Sequence, residues 1–220
     1  MVYCMADIHG EIDRFHTMLE KIHLSAEDTL YIIGDVIDRH PNGIPLLREI
    51  MQRPNIIMLL GNHEQMLLDT FSENNRIGAK QLWRQNGGGC TYREMTYCMS
   101  PQERDEIISF LQSLPDHLDI EVNGRQFHLV HGMPADNTFD RIWARPEPPP
   151  TEPPIPGKTV VVGHTCVYWM NLYIEGHDED APFEIWHGPG LTDIDCGCGN
   201  ETEQRRLACL RLDDMKEFYV

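Results

Sequence analysis

In the first third of the chain, three apolar runs each stop at a polar cluster. Val2 to Met5 passes through Ala6 into Asp7-Ile8-His9-Gly10. Thr29 to Ile33 opens onto Gly34-Asp35-Val36-Ile37-Asp38-Arg39, and Ile56 to Leu60 onto Gly61-Asn62-His63-Glu64. Between the runs, Phe15, Met18, Leu19 and Ile22 recur at helical spacing and predict a helix over 11–23. A second helix is predicted from Ile44 to Met51, stopped near Pro54. Strands alternating with helices imply βαβ units and a largely parallel sheet. The carboxyl ends of parallel strands lie on one edge, where ligands bind, so the three clusters are expected to meet there.

The remainder divides in two. Residues 65–115 read as mostly helical, with an irregular interruption at Asn86-Gly87-Gly88-Gly89. Beyond them the character becomes β. Asn123-Gly124 between alternating runs signals a hairpin, and the strand after it, Gln126 to Val130, delivers His131. Thr159 to Val162 delivers Gly163-His164-Thr165. Leu207 to Leu212 and Phe218 to Val220 are expected to complete a second sheet. The proline-rich segment from Pro146 to Pro156 reads as a surface loop rather than a linker, because the residues on both sides of it belong to one site. A single domain over 1–220 is therefore expected.

Composition narrows the classes of function. With 18 basic and 35 acidic residues the formal charge is −17, which opposes binding to nucleic acid or anionic lipid. No apolar stretch approaches the roughly 20 residues needed to span a membrane, and the N-terminal run lacks the pattern of a secretory signal. Seven cysteines without framework spacing suit reduced thiols, so a cytoplasmic location is expected. Cys196-Gly197-Cys198 has no partner pair for a zinc site and reads as small core residues.

Taken together, Asp7, His9, Asp35, Asn62, His131 and His164 offer mixed oxygen and nitrogen donors at strand exits. Such a set suits borderline divalent ions such as manganese, iron, zinc or nickel. A carboxylate has two oxygens and can bridge two ions, and Asp35 is central in the series.

The order Asp-x-His-Gly, Gly-Asp-x-x-Asp-Arg, Gly-Asn-His-Glu, His-Gly and Gly-His-Thr resembles the calcineurin-type metallophosphoesterases. Within them it is most similar to the phosphoprotein phosphatase branch, in particular the bacteriophage lambda type and its bacterial relatives. Trp83 followed by Asn86-Gly87-Gly88-Gly89, Ile142-Trp143-Ala144-Arg145 and Asp195-Cys196-Gly197 also match that type. The resemblance implies an α/β fold, a two-sheet β sandwich flanked by helices. It implies two divalent metal ions, manganese foremost, one held by Asp7, His9 and Asp35 and the other by Asp35, Asn62, His131 and His164. It further implies a hydroxide shared by the ions as nucleophile, His63 oriented by Asp38 as proton donor, and Arg39 and Arg145 as phosphate-binding residues. A structural hydrogen bond is the other reading of His63 and Asp38, and a plain surface arginine that of Arg145.

Two positions depart from the pattern: Ala6 stands where the first motif usually has Gly, and His40 follows Arg39 where Gly is common. Ala6 is tolerable unless its position needs positive φ. His40 either reshapes substrate access or points to solvent. His16, His23, His117, His128, His177 and His187 carry no motif and are read as without function. The expected activity is hydrolysis of phosphoserine, phosphothreonine and also phosphotyrosine in proteins. The same motifs also serve a dinucleoside polyphosphate such as diadenosine tetraphosphate, or, with catalysis lost, a metal-binding scaffold. A phosphoprotein or a phosphorylated small molecule is the expected partner; the oligomeric state is left open.

Overall fold

The three apolar runs pair side by side in the computed structural model, which describes residues 1–72, 77–178 and 180–220. Strand β1 (Val2–Met5) lies parallel to β2 (Thr29–Ile33), with Val2 opposite Thr29 and Met5 opposite Ile32. Strand β2 in turn lies parallel to β3 (Ile56–Leu59), with Leu30 opposite Ile56. This register brings the three polar clusters to one edge. There, Asp7 N donates to Gly34 O at 3.2 Å and His9 N to Asp35 O at 3.0 Å. The crossovers run through helices α1 (Ile12–Lys21) and α2 (Gly43–Met51), close to the predicted spans. Phe15 and Met18 of α1 and Ile44, Leu46, Leu47 and Ile50 of α2 are buried against the sheet.

Residues 65–115 are helical as expected, apart from 73–76, which lie outside the described residues. Helix α3 (Asn62–Phe71) starts directly from β3, and α4 (Ala79–Gln85) ends at the glycine run. Next come α5 (Gly89–Arg93), a π-helical turn over Glu94–Cys98, and α6 (Pro101–Gln112). Helix α6 begins at a capping box: Ser100 Oγ accepts from Glu103 N, Glu103 accepts from Ser100 N, and Pro101 fills the first turn.

The predicted hairpin joins β4 (His117–Val122) to β5 (Arg125–Val130), with Val122 opposite Arg125. Asn123 and Gly124 both take positive φ, +52° and +77°, as a two-residue type I′ turn requires. After α7 (Thr138–Trp143), β6 (Thr159–Val162) runs parallel to β5. Helix α8 (Val167–Asn171) follows, then β7 (Trp186–Gly188) and β8 (Leu191–Asp193), which pairs parallel with β6. The second sheet has the order β4-β5-β6-β8-β7.

The C-terminal strands correct one expectation. Strands β9 (Ala208–Arg211) and β10 (Lys216–Tyr219) join the first sheet, giving the order β10-β9-β1-β2-β3. The physical reason is visible in β9, where Ala208, Cys209 and Leu210 are all buried. Ala208 and Leu210 pack between the sheets, whereas Cys209 packs toward the helices. A strand apolar on both faces needs cover on both, and the position beside β1 supplies it.

Three apolar clusters hold these layers together. Cys4, Ala6, Ile33, Leu59 and Leu210 meet Phe127, Leu129, Val161 and Ile194 between the sheets. Helices α1 to α4 and α6 cover the outer face of the first sheet. Val130, Val160, Val162 and Leu191 pack outward against Met170 of α8 and Ile155 of the proline-rich segment, which is a loop lying on that sheet. Cys196 and Cys198 are buried, free core residues, in keeping with their reading from sequence. Among the described residues, no helix is long and apolar enough to cross a membrane.

Asp116 ties α7 to the start of β4. Its Oδ2 accepts from Thr138 Oγ1 at 2.5 Å and from Arg141 Nη1 at 3.1 Å. Partial burial alone would raise its pKa. The Thr138 hydroxyl, His117 and Arg141 outweigh that and hold it at about 2. The folded pKa is below the unfolded value of about 3.9, so the stabilisation is present above that value and lost as pH falls through the folded one. Chemical denaturation of the wild type and Asp116→Asn is expected to show the widest stability gap above about pH 4, closing toward about pH 2. A gap independent of pH over that range would contradict the assignment.

Candidate metal centre

The carboxyl edges of the two sheets come together at one place. Asp7 and His9 follow β1, Asp35, Asp38 and Arg39 follow β2, and Asn62 and His63 open α3 directly after β3. From the second sheet, His131 follows β5 and His164 follows β6. Asp7, His9, Asp35, Asp38, Asn62, His63 and His131 are all buried. Hydrogen bonds join the sheets here: among them, His164 N donates to Asp7 Oδ2 at 3.0 Å, and His131 Nδ1 donates to Ile33 O at 2.8 Å.

Asp35 is the hub. Its Oδ2 lies 3.7 Å from both His9 Nε2 and His63 Nε2, and its Oδ1 lies 3.3 Å from His131 Nε2. Asn62 Oδ1 sits 2.9 Å from His131 Nε2 and 3.0 Å from His164 Nδ1. Two sets of ligand-capable atoms each fall within 4.8 Å of one another: His9, Asp35 and His63, and Asp35, His131 and His164. Asp7 is in neither set, and its Oδ2 accepts from the His164 amide; His63 stands in the first. Exposed Arg39 flanks the cluster and bonds through Nη1 to Asn200 Oδ1 at 2.9 Å. Arg145 is also exposed, and its charge reaches His164.

The backbone around these residues is held in a costly conformation. Asp7, His9, Asp35, Asp38, Arg39 and His164 all have positive φ, between 49° and 74°. A left-handed non-glycine residue costs roughly 1–2 kcal/mol and persists only where its surroundings over-determine it; such residues cluster at functional sites. Ala6 is outside this group, so the methyl replacing the usual Gly meets no strain there. Two glycines are required by close approach. A Cβ at Gly34, itself at φ +76°, would lie 2.6 Å from Gly61 Cα, and one at Gly61 would lie 2.2 Å from Asp35 Oδ1.

The buried charges explain what the cage can accept. Burial raises the pKa of Asp7 well above the carboxylate range, and neighbouring Asp195 adds to it; Asp193 is raised in the same way. Burial likewise pushes the His164 imidazole down to about 3, helped by His131 and Arg145, and keeps His9 neutral. Burial opposes the charged form of Asp35 too, but His131 and His63 outweigh it and hold its pKa well below normal. The same contact raises His131 to about 10 against the effect of burial. His9 Nε2 is buried with no hydrogen-bond partner among the described residues. Neutral imidazoles at His9 and His164, an ionised Asp35 and surplus buried acids suit divalent cations, and a cation beside Asp35 would displace the proton held on His131. The residues present fit the ions.

The supporting contacts of several residues leave no mark in the sequence. Glu64 accepts from the backbone N–H groups of Asp35, Val36, Ile37 and Gly61 at 2.9 to 3.3 Å and so locks the β2 exit to the β3 exit. The only sequence signal was its place after His63. Trp83 Nε1 donates to Asp38 Oδ2 at 2.6 Å, the oxygen that also takes His63 Nδ1 at 2.7 Å. His40 neither points to solvent nor enters the cluster; its ring packs beside Glu11 and Arg205.

Two sheets meeting at a buried cage of Asp, Asn and His side chains define a metallophosphoesterase-type architecture. Residues 1–207 match the model of the calcineurin-like phosphoesterases, and the chain belongs to that family. It is 29% identical over 140 residues to serine/threonine-protein phosphatase 2 of Salmonella typhimurium, a match covering 63% of this chain and 61% of that one. It is 42% identical over 133 residues to the symmetrical bis(5'-nucleosyl)-tetraphosphatase of Delftia acidovorans, covering 60% of this chain and 41% of that one. The match thus spans less than two thirds of either relative. Among solved structures, a putative diadenosine tetraphosphatase superposes with a TM-score of 0.62 at 16% identity, covering 100% of this chain and 92% of that one. A metallophosphoesterase from Sphaerobacter thermophilus does so with 0.59 at 16%, covering 100% and 87%. These two likenesses concern the fold alone.

Proposed function

We propose that the chain is a metal-dependent phosphoesterase that hydrolyses phosphoserine and phosphothreonine, and also phosphotyrosine, in proteins. The observation that carries this reading is the Asp35 carboxylate standing between two donor sets, with the His63–Asp38 pair facing it. Asp7, His9 and Asp35 would hold one divalent ion, and Asp35, Asn62, His131 and His164 the other. Manganese is the first candidate; iron, zinc and nickel also suit these donors. When bound, such ions supply positive charge that lowers the pKa of a water and offsets the charge of the phosphate oxygens.

The chain's own residues do the rest. Arg39 and Arg145, both exposed and with charges that reach the cluster histidines, would present paired donors to phosphate oxygens. His63, held at Nδ1 by Asp38, gives a proton from Nε2 to the departing oxygen. Trp83 fixes Asp38 for that task. Trp83→Phe keeps the aromatic volume and removes the donor. It is expected to lower kcat about tenfold, the worth of one hydrogen bond to a charged group, with metal content unchanged. Unchanged kcat would remove Trp83 from the account.

The similarity to the Salmonella phosphatase supports a protein substrate. A second reading, hydrolysis of a dinucleoside polyphosphate, is favoured by the 42% identity to the Delftia tetraphosphatase. Turnover of a phosphopeptide and of diadenosine tetraphosphate, measured side by side with manganese, separates them; strong preference for the nucleotide overturns the first. Complete inactivity on p-nitrophenyl phosphate with every metal would leave only the scaffold. The free cysteines suit a reducing compartment, and we assign the chain to the cytoplasm.

A further inference from the structure

The segment from Cys198 to Arg205 lies against the site without a part in the chemistry above. Gly199 packs so tightly on His9 that a Cβ there would fall 2.3 Å from the ring. The next residue, Asn200, accepts from Arg39 Nη1 at 2.9 Å. Further along, Arg205 Nη1 donates to Cys198 O at 2.9 Å and to Glu11 Oε1 at 2.5 Å. His40, next to Arg39, places Nε2 at 3.4 Å from the same Glu11 oxygen and 3.5 Å from Arg205 Nη1. On the other side of Arg39, its backbone N donates to Gly87 O at 3.1 Å.

We infer that Asn200 and Arg205 are positioning residues for Arg39. A free arginine carries among the largest side-chain entropies, so an exposed one binds phosphate weakly unless something orders it beforehand. Arg205, braced by Glu11 and His40, fixes the segment through Cys198, and the segment presents Asn200 to the guanidinium. The chemistry of the acceptor matters. A carboxamide oxygen takes one N–H and leaves the guanidinium its full charge and its remaining donors for a phosphate dianion. A carboxylate in its place would hold the arginine equally well but compete with the substrate. His40, in place of the more usual Gly, is thereby part of the brace.

This inference rests on Arg39 being a phosphate ligand, and the experiment separates the two. In manganese-loaded protein of verified metal content, KM and kcat for p-nitrophenyl phosphate are measured together with calorimetric binding of inorganic phosphate. Arg39→Ala is expected to raise KM and weaken phosphate binding. Asn200→Ala and Arg205→Leu are each expected to raise KM about fivefold with little change in kcat, a fraction of one charge-assisted hydrogen bond. Asn200→Asp should weaken phosphate binding more than Asn200→Ala, and Arg205→Lys should recover part of the loss. Within the Arg39→Ala background neither Asn200→Ala nor Arg205→Leu should add anything. The proposal is overturned if the single changes leave KM and phosphate binding untouched, or if their effects persist in full without Arg39. Normal behaviour of Arg39→Ala itself would instead sink the phosphate-ligand reading beneath it.

Discussion

Asp35→Asn is expected to strip both metal positions at once and to lower turnover on the order of a thousandfold, since several kcal/mol of charge stabilisation in the transition state go with the ions. The reason is geometric: the two Asp35 oxygens face different partners, Oδ2 toward His9 and His63, Oδ1 toward His131. The fold should survive. Asn retains an Oδ1 to accept from His63 N, a bond of 3.1 Å in the native chain, and Glu64 still gathers the surrounding amides. The informative comparison is His9→Asn, whose ring belongs to one donor set only. Elemental analysis should find both metals depleted in Asp35→Asn and about one retained in His9→Asn. Equal retention in the two variants would show that Asp35 is not shared.

The second large effect is expected from His63→Asn, a fall in turnover of roughly 10²–10⁴-fold, the usual worth of a positioned acid. His63 is held in place by Asp38 at 2.7 Å, and its pKa stays raised despite burial because Asp35 and Asp38 stabilise the imidazolium. Loss of a proton donor hurts most where the leaving oxygen is most basic. Phosphoserine peptides should therefore suffer more than p-nitrophenyl phosphate. Metal content decides between two roles, because His63 also lies within reach of His9 and Asp35. Full metal content with the leaving-group dependence supports the acid; loss of one ion makes His63 a ligand instead.

Much of this was legible in the chain. Runs such as Thr29–Ile33 are short, apolar and followed by Gly-Asp, so both the strand and its exit chemistry can be read locally. Parallel pairing then follows from the intervening helices, and convergence of Asp7, Asp35 and Asn62 follows from parallel pairing. The C-terminal strands were misplaced because nearness in sequence suggested the second sheet. The two-sided burial of Ala208–Leu210 goes with the place of β9 beside β1, with β10 beyond it. Supporting contacts across long separations left no local trace. Asn200 is an unremarked polar residue until it meets Arg39 across the fold, and Glu64 is a motif letter until four amides are seen to point at it. Left-handed φ values at Asp7, His9 and Asp35 were equally silent, since non-glycine residues do not announce that conformation.

Asp35 would hold two cations together between the sheet edges if the proposed centre is right. Crystals loaded with manganese and measured at its absorption edge test it directly. Two anomalous peaks per chain, both touching Asp35, one beside His9 and the other beside His131 and His164, are the expected result. A lone peak, or density that avoids Asp35 altogether, would contradict it.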